Sequence, residues 1–260
     1  MKLTIIGSGT GYINAKRRGP CFLLEVADQK LLFDCGWGCP QGLLAAGIDP
    51  HSLNHIFISH SHADHLASLM TLIQSRLIAA SFHPEKTVAS KLFLHGYKGF
   101  KKDFRRLRRM MMPEAPQNFK IKIHEYREDS RRFKGFDIQS LPVKHTDFFE
   151  SVAFRIKAEN KNFVYSGDCA YNQNIISLAK KTDLLLINAS VPPQMYDDRG
   201  AFPTHLAPQQ IGMIAHEAKA KKVVLFHLYD LASDEQTIKA VKKNFTGTVI
   251  VPKDDQQIEI

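Results

Sequence analysis

The sequence predicts an α/β chain folded as a four-layer αββα sandwich, two β-sheets packed face to face with helices on both outer faces. Three observations lead there. Short apolar runs of strand length alternate with longer stretches of helical period along the 260 residues. Hydrophobic residues make up 44% of the chain, enough for one large core, and no linker-like stretch divides it, so a single domain over 1–260 is expected. Histidines and aspartates recur just after the apolar runs, so their side chains are expected to meet along one edge of the sandwich.

Taken in order, strands are expected at Leu23 to Asp34, Phe57 to Ser59 and Lys91 to His95. Later strands are expected at Phe136 to Val143, Val152 to Lys157, Phe163 to Ser166, Leu184 to Asn188, Val223 to Phe226 and Thr248 to Val251, each an apolar run bounded by polar or turn residues. Helices are expected at Leu66 to Ala80, Gly99 to Met112, Ile175 to Lys180, Pro208 to Ala218 and Asp234 to Asn244, where apolar residues recur at helical spacing. There is no internal repeat, and the methionine triplet Met110 to Met112 is the one low-complexity tract.

The most informative stretch is Ile58-Ser59-His60-Ser61-His62-Ala63-Asp64-His65-Leu66, which follows a short strand built on Ile56, Phe57 and Ile58. Three imidazoles and a carboxylate this close desolvate and repel one another unless cations draw them in. On a strand-to-helix loop, His60 and His62 can point to one side while Asp64 and His65, entering the helix, point to another. That geometry suits two adjacent metals better than one. A dinuclear site needs further ligands, and strand-end candidates follow: His145 after Leu141-Pro142-Val143, Asp168 after Phe163-Val164-Tyr165, and His227 after Val223-Val224-Leu225-Phe226.

With these residues in view, the chain resembles the metallo-β-lactamase-fold hydrolases over nearly all of its length. The family's first motif, an aspartate closing an early strand, is matched by Leu31-Leu32-Phe33-Asp34-Cys35-Gly36. The resemblance implies that His60, His62 and His145 hold one metal and that Asp64, His65 and His227 hold the second. It further implies that Asp168 bridges the two and that Asp34 orients the loop from behind. Two divalent ions are the implied cofactors, with zinc favoured by a nitrogen and oxygen donor set and manganese or iron compatible with it.

Within the family, Ile5-Ile6-Gly7-Ser8-Gly9-Thr10-Gly11-Tyr12 with Arg17-Arg18-Gly19-Pro20, and Pro203-Thr204-His205-Leu206-Ala207-Pro208, resemble the ribonuclease Z-like branch. In that branch the histidine matched by His205 stands beside the metals and assists the leaving group; the alternative is a plain neighbour of a helix N-terminus. The chain departs from tRNA-processing members at one point. His145 and Asp168 are 23 positions apart, room for a hairpin and not for a long tRNA-gripping arm, so a smaller phosphodiester is as good a substrate as tRNA. Aspartate rather than cysteine at 168 argues against a β-lactam hydrolase.

The resemblance implies a phosphodiesterase or nuclease in which two metals about 3.5 to 4 Å apart activate a shared hydroxide that attacks phosphorus. Asp64, Asp168 and His205 are then the catalytic side chains, with His205 acting as an imidazolium donor. Hydrolysis of a lactone, thioester or other acyl ester by the same site is the second reading. A nucleic-acid-binding protein without catalysis is the third, against which the intact ligand set speaks.

The net charge of +9 is concentrated. Segment 91–135 holds fourteen basic residues against five acids, which is the whole excess. Within it Phe100, Phe104, Leu107 and Met111 recur at helical spacing, so one helix face would pack inward while Arg105, Arg106, Arg108 and Arg109 project. Such a face either guides RNA or another polyanion toward the metals or is merely solvated; no aromatic stacking platform accompanies it.

Remaining features carry less. No apolar segment is long enough for a signal peptide or a membrane span, so a cytoplasmic protein without membrane contact is expected. Relatives in this branch are frequently dimers, which makes a homodimer an expectation. Cys21, Cys35, Cys39 and Cys169 form no disulfide pattern and are expected as reduced core residues. Surface or packing roles are expected for His51, His55, His83, His95, His124 and His216. Trp37 is expected either at the pocket mouth or in packing, and the polar stretch Tyr196-Asp197-Asp198-Arg199 is noted as a loop able to touch substrate.

Overall fold

Strand pleat decides how the layers are built. In the computed structural model, which describes residues 1–83, 88–113, 119–196 and 204–260, the first half contains β1 (Lys2–Gly7), β2 (Cys21–Val26), β3 (Gln29–Phe33), α1 (Cys39–Ala45), β4 (His55–Ile58), α2 (Ala63–Leu66), α3 (Leu69–Phe82), β5 (Lys91–Tyr97), α4 (Phe100–Met111) and β6 (Lys120–Tyr126). The second half contains β7 (Asp129–Phe133), β8 (Phe136–Pro142), β9 (Val152–Ala158), β10 (Lys161–Tyr165), α5 (Gln173–Leu178), β11 (Leu184–Asn188), α6 (Pro208–Glu217), β12 (Lys222–Phe226), α7 (Asp234–Lys242), β13 (Thr248–Ile250) and β14 (Gln257–Glu259). Among the described residues each sheet has seven strands, ordered β14-β1-β2-β3-β4-β5-β6 and β13-β12-β11-β10-β9-β8-β7. The expected sandwich of two mixed sheets with flanking helices is what forms.

Each sheet is antiparallel on one side and parallel on the other. In the first, β1, β2 and β3 form a meander and β3 through β6 run parallel. In the second, β7 through β10 are antiparallel and β10 through β13 parallel. Parallel strands covered on both faces read as unbroken apolar runs. β11 shows how they are used: Leu184 and Leu186 enter the core between the sheets, while Leu185 and Ile187 enter the core beneath the helices. β12 repeats this, with Val224 and Phe226 inward and Val223 and Leu225 toward Ile211, Ile214 and Val241.

The core between the sheets is aromatic. Phe33 stacks on Phe57 at 4.6 Å and meets Phe163 of the other sheet at 5.3 Å, and Phe22 meets Phe226 edge-on at 5.0 Å. Full burial of each such ring contributes roughly 2 to 3 kcal/mol, and edge-to-face contacts add to it. The helices take their faces from the same logic. α4 buries Phe100 and Phe104 while Lys101, Lys102, Arg105, Arg106 and Arg109 are exposed. α7 starts on a capping box in which Gln236 N–H donates to Ser233 Oγ and Ser233 N–H to Gln236 Oε1.

The architecture departs from the sequence reading in several places. The strand expected over Leu23 to Asp34 is the β2–β3 hairpin, turning at Ala27 with φ 48°. β1, β6, β7 and β14 lie outside the expected strands; β14 is only three residues long, and β6 and β7 carry cations that break up any apolar run. The helix expected over Leu66 to Ala80 is interrupted. Ser68 N–H donates to Cys35 O at 2.9 Å and Cys35 N–H to His65 O at 2.8 Å, so the chain is docked sideways onto the Asp34–Gly36 turn before α3 begins. Gly36 is required there, because a Cβ would stand 2.2 Å from Asp64 O.

Two histidines form part of the core. His55 Nδ1 lies 2.9 Å from His95 Nε2, whose ring partner Nδ1 lies 3.0 Å from Tyr126 Oη, and both rings stack on phenylalanines, His55 on Phe93 and His95 on Phe57. His51 is partly covered, whereas His83 and His216 are exposed. Burial pushes His55 down to about 4, helped by His124, and holds His95 well below its ordinary range. A pKa depressed in the folded state means that the unfolded chain binds the proton first as pH falls. Stability is therefore lost progressively between about pH 6.5 and about pH 4, with His55 alone accounting for roughly 3 kcal/mol. Urea unfolding at about pH 7 and about pH 4.5 should show this loss, and a His55→Phe/His95→Phe variant should show a flatter dependence; equal slopes would remove the two rings as its cause.

Candidate metal centre

The potential ligands leave their strands at one edge of the sandwich because the parallel strands of both sheets end there. Asp34 follows β3, the histidine loop follows β4, Asp168 follows β10 and His227 follows β12, while His145 follows β8. Two of these positions are held in left-handed backbone, Asp34 at φ 54° and His227 at φ 59°. Such conformations cost about 1 kcal/mol or more and persist where surroundings enforce them. At Asp34 the enforcement is visible: its N–H donates to Phe57 O at 2.7 Å.

The Asp34 carboxylate is fully buried and collects donors from both sheets. Ser59 N–H and Ser59 Oγ–H donate to it at 2.7 Å each, His65 Nδ1–H at 2.6 Å, and Tyr165 Oη–H completes the set. With Ser59 Oγ–H committed to Asp34, the His60 Nδ1–H is left to donate to Ser59 Oγ at 2.9 Å. His145 Nδ1–H donates to the carbonyl of Thr204 at 2.8 Å. These outer contacts fix ring orientation and leave the inner nitrogens of His60, His65 and His145 with bare lone pairs.

The inner atoms converge in two groups. His62 Nδ1 lies 3.0 Å from His60 Nε2 and 3.1 Å from His145 Nε2. His227 Nε2 lies 3.2 Å from Asp64 Oδ2 and 3.1 Å from Asp168 Oδ2, and His65 Nε2 lies 3.3 Å from Asp168 Oδ2 and 3.7 Å from Asp64 Oδ2. Asp168 also sits within 4.8 Å of ligand atoms of His60 and His65, and of His145 and His205. All seven expected ligands thus meet, together with Asp34 behind them. His205 is beside them, its ring 5.0 Å from His145 and 5.2 Å from His227, with Nδ1 3.9 Å from Asp168 Oδ2.

Two atoms test whether cations suit this cage. His65 Nε2 and Asp168 Oδ1 are buried without a hydrogen-bond partner, a costly state for polar groups in a native interior. With nitrogen and carboxylate donors arranged around them, the residues fit divalent metals. Electrostatics agree. Burial by itself raises Asp168, but His227 and His65 outweigh it and hold the carboxyl well below its usual range. Burial likewise lowers His65, yet Asp168 and Asp34 prevail and raise it well above the ordinary imidazole range. Burial, then His65, pushes His60 well down. Burial pushes His205 down to about 4, against the pull of Asp168.

Several contributors left no signal in the sequence. Tyr165, Thr204 and Ser190 act through partners far along the chain, Ser59 joins distant Asp34 to its neighbour His60, and Phe149, whose ring lies 4.8 Å from His62 and 5.8 Å from His60, walls the imidazoles. Trp37 packs, donating from Nε1 to Thr10 O. Cys169 is buried against Asn188, which accepts from its backbone N–H at 3.2 Å; the four cysteines are free and buried, as expected. The interval between His145 and Asp168 consists of a short loop and the β9–β10 hairpin. Asp197, Asp198, Arg199 and Pro203 lie outside the described residues, and no described helix is long and apolar enough to cross a membrane.

A family model described as Anti-Pycsar protein Apyc1 matches residues 1–247. A ribonuclease Z of Archaeoglobus fulgidus is 23% identical, covering 100% of this chain and 97% of that protein. The probable metallo-hydrolase YhfI of Bacillus subtilis is 26% identical over 97% of each. Its crystal structure, a metallo-β-lactamase fold protein, superposes with a TM-score of 0.82 at 24% identity, covering 99% and 98% of the two chains. The short form of human tRNase Z superposes with a TM-score of 0.80 at 20% identity, covering 100% and 99%. The fold is therefore that of the metallo-β-lactamase sandwich.

Two outcomes are expected. Asp34→Ala, which removes the acceptor of four donors without touching an inner atom, should weaken metal binding about 10- to 100-fold in calorimetric titration. His62→Ala and Asp168→Ala should each lower bound metal by elemental analysis; unchanged stoichiometry in both would contradict the ligand assignment.

Proposed function

Because the match over residues 1–247 makes this chain a member of the Anti-Pycsar Apyc1 family, we propose that it is a dinuclear metal-dependent phosphodiesterase acting on a small phosphodiester. One observation carries the reading: the ligand atoms of His60, His62 and His145 and those of Asp64, His65 and His227 form two clusters, each within 4.8 Å, and Asp168, whose Oδ1 is buried and unpartnered, lies within the same distance of His60 and His65. In this reading His60, His62 and His145 would hold one cation and Asp64, His65 and His227 the other, with Asp168 available to both. Zinc suits the set best, with manganese or iron compatible. When bound, such ions neutralise charge on the phosphoryl oxygens and make water nucleophilic near neutral pH.

The chain's own residues do the remainder. Asp34, Ser59 and Tyr165 keep His60 and His65 aimed so that little reorganisation is needed on binding. Phe149 packs edge-on against His62 and covers one side of the imidazole group. His205, 26% exposed in its side chain, offers a ring N–H to the departing oxygen. The likeness to proteins named ribonuclease Z supports a phosphodiester substrate, and the short span between His145 and Asp168 supports a compact one.

The basic helix bears on how a polyanion would approach. α4 begins at the end of β5, where Tyr97 Oη–H donates to Asp103 Oδ2 at 2.8 Å and is also hydrogen-bonded to Ser61 of the histidine loop. Its first exposed cations are Lys101 and Lys102.

Two experiments test this reading. A departing alkoxide needs a proton and a nitrophenolate does not, so His205→Ala should slow an alkyl phosphodiester by at least about 100-fold while changing bis-p-nitrophenyl phosphate turnover by about threefold or less. Equal losses on both would remove the leaving-group role, and lactone or thioester turnover with no phosphodiester turnover would replace the proposed activity. Reversing the charge of Arg105, Arg106, Arg108 and Arg109 should weaken RNA cleavage at least tenfold more than small-diester cleavage if α4 guides polyanions; equal effects would leave it a solvated face.

A further inference from the structure

Ser190 touches two of the site's imidazoles at once. Its Oγ lies 2.8 Å from His227 Nδ1 and 3.1 Å from His205 Nδ1, and the residue is buried. The backbone clamps it there on both sides. Ala189 N–H donates to Phe226 O at 2.8 Å, just ahead of His227, and Val191 N–H donates to Leu206 O at 3.1 Å, just after His205. The chain leaving β11 thus threads between the two histidines and presents one hydroxyl to both.

A hydroxyl has a single proton to give. His227 directs Nε2 at Asp64 and Asp168, so with a cation there its own proton resides on Nδ1 and is donated to Ser190 Oγ. The Ser190 proton is then free for His205 Nδ1. That leaves the His205 ring proton on Nε2, away from the Ser190 and Asp168 side of the ring. Asp168 competes for the opposite arrangement, since its Oδ2 stands 3.9 Å from His205 Nδ1 and would draw a proton to that nitrogen.

We propose that Ser190 is a positioning residue that fixes His205 in the Nε2–H tautomer, ready to donate to the leaving oxygen. The inference rests on the reading of His205 as that donor and of His227 as a ligand. Ser190 acts as a one-way connector: it accepts from the ligand histidine and donates to the proton-donating one. Removing the hydroxyl leaves Asp168 as the nearest polar partner of His205 Nδ1, and the ring proton moves to the unproductive side.

The test uses zinc-loaded protein labelled with 15N-histidine, with the His205 signals assigned by their loss in His205→Ala. Long-range proton–nitrogen correlation should show the wild-type proton of His205 on Nε2 and that of His227 on Nδ1. In Ser190→Ala the His205 proton should shift to Nδ1, and kcat for an alkyl phosphodiester should fall about 10- to 100-fold with KM within about twofold. Zinc content should be unchanged, and Ser190→Thr should restore both the tautomer and kcat. A wild-type His205 protonated on Nδ1 would overturn the proposal, and this holds whether or not the variants fold. A Ser190→Ala defect that excess zinc repairs would also overturn it, since the hydroxyl would then act through His227 alone. If His205→Ala leaves alkyl-diester turnover intact, the donor reading fails while the tautomer result stands on its own.

Discussion

The carboxylate of Asp34 is the constraint on which the rest depends. It is wholly buried, sits on a left-handed residue, and accepts from Ser59 twice, from His65 and from Tyr165. Taking a carboxylate out of water costs several kcal/mol, and only a full complement of charge-assisted hydrogen bonds offsets that. Meeting this requirement forces the histidine loop of the first sheet against Tyr165 of the second. The same contacts that satisfy Asp34 therefore bring the sheets together at the edge where the candidate ligands lie, and they turn His60 and His65 inward.

The site inherits its precision from the backbone behind it. Cys35 N–H donates to His65 O and Ser68 N–H to Cys35 O, so the histidine loop is docked along the Asp34 turn rather than suspended from β4. In the second sheet, parallel β10, β11 and β12 deliver Asp168, Ser190 and His227 to the same edge in consecutive register. Side chains built on such a scaffold lose little freedom when a ligand arrives, which favours binding of charge over adaptation to shape.

The basic segment 91–135 is less uniform than its composition. On α4 Lys101, Lys102, Arg105, Arg106 and Arg109 face solvent, but Arg131 is engaged with Asp129, with His124 and with the Tyr126 ring, and Lys122 lies over Phe93. These latter residues close the edge where β6 and β7 carry the chain from one sheet to the other, and their aliphatic stems cover aromatic rings there. A block of like charge in sequence is thus divided between a solvent-facing helix and a structural seam.

Much of this was legible in the chain itself. The αββα layering, the strand ends at His145, Asp168 and His227, and the loop from His60 to His65 follow from local apolar period and residue type, which act over a few neighbours. Strands with mixed or basic composition, such as β6 and β7, were not legible because they lie at the sheet edges, stay largely uncovered and so carry no apolar run. Nor was the break between α2 and α3, which arises from backbone hydrogen bonds to Cys35. What the sequence alone determined is the identity of the chemical groups and the fold that would carry them. What tertiary structure decided is which nitrogen of His65, His145 and His227 faces inward and the pairing of His205 with His227 through Ser190. These depend on hydrogen bonds between residues 15 to 59 positions apart, and no local pattern encodes a contact that only folding creates.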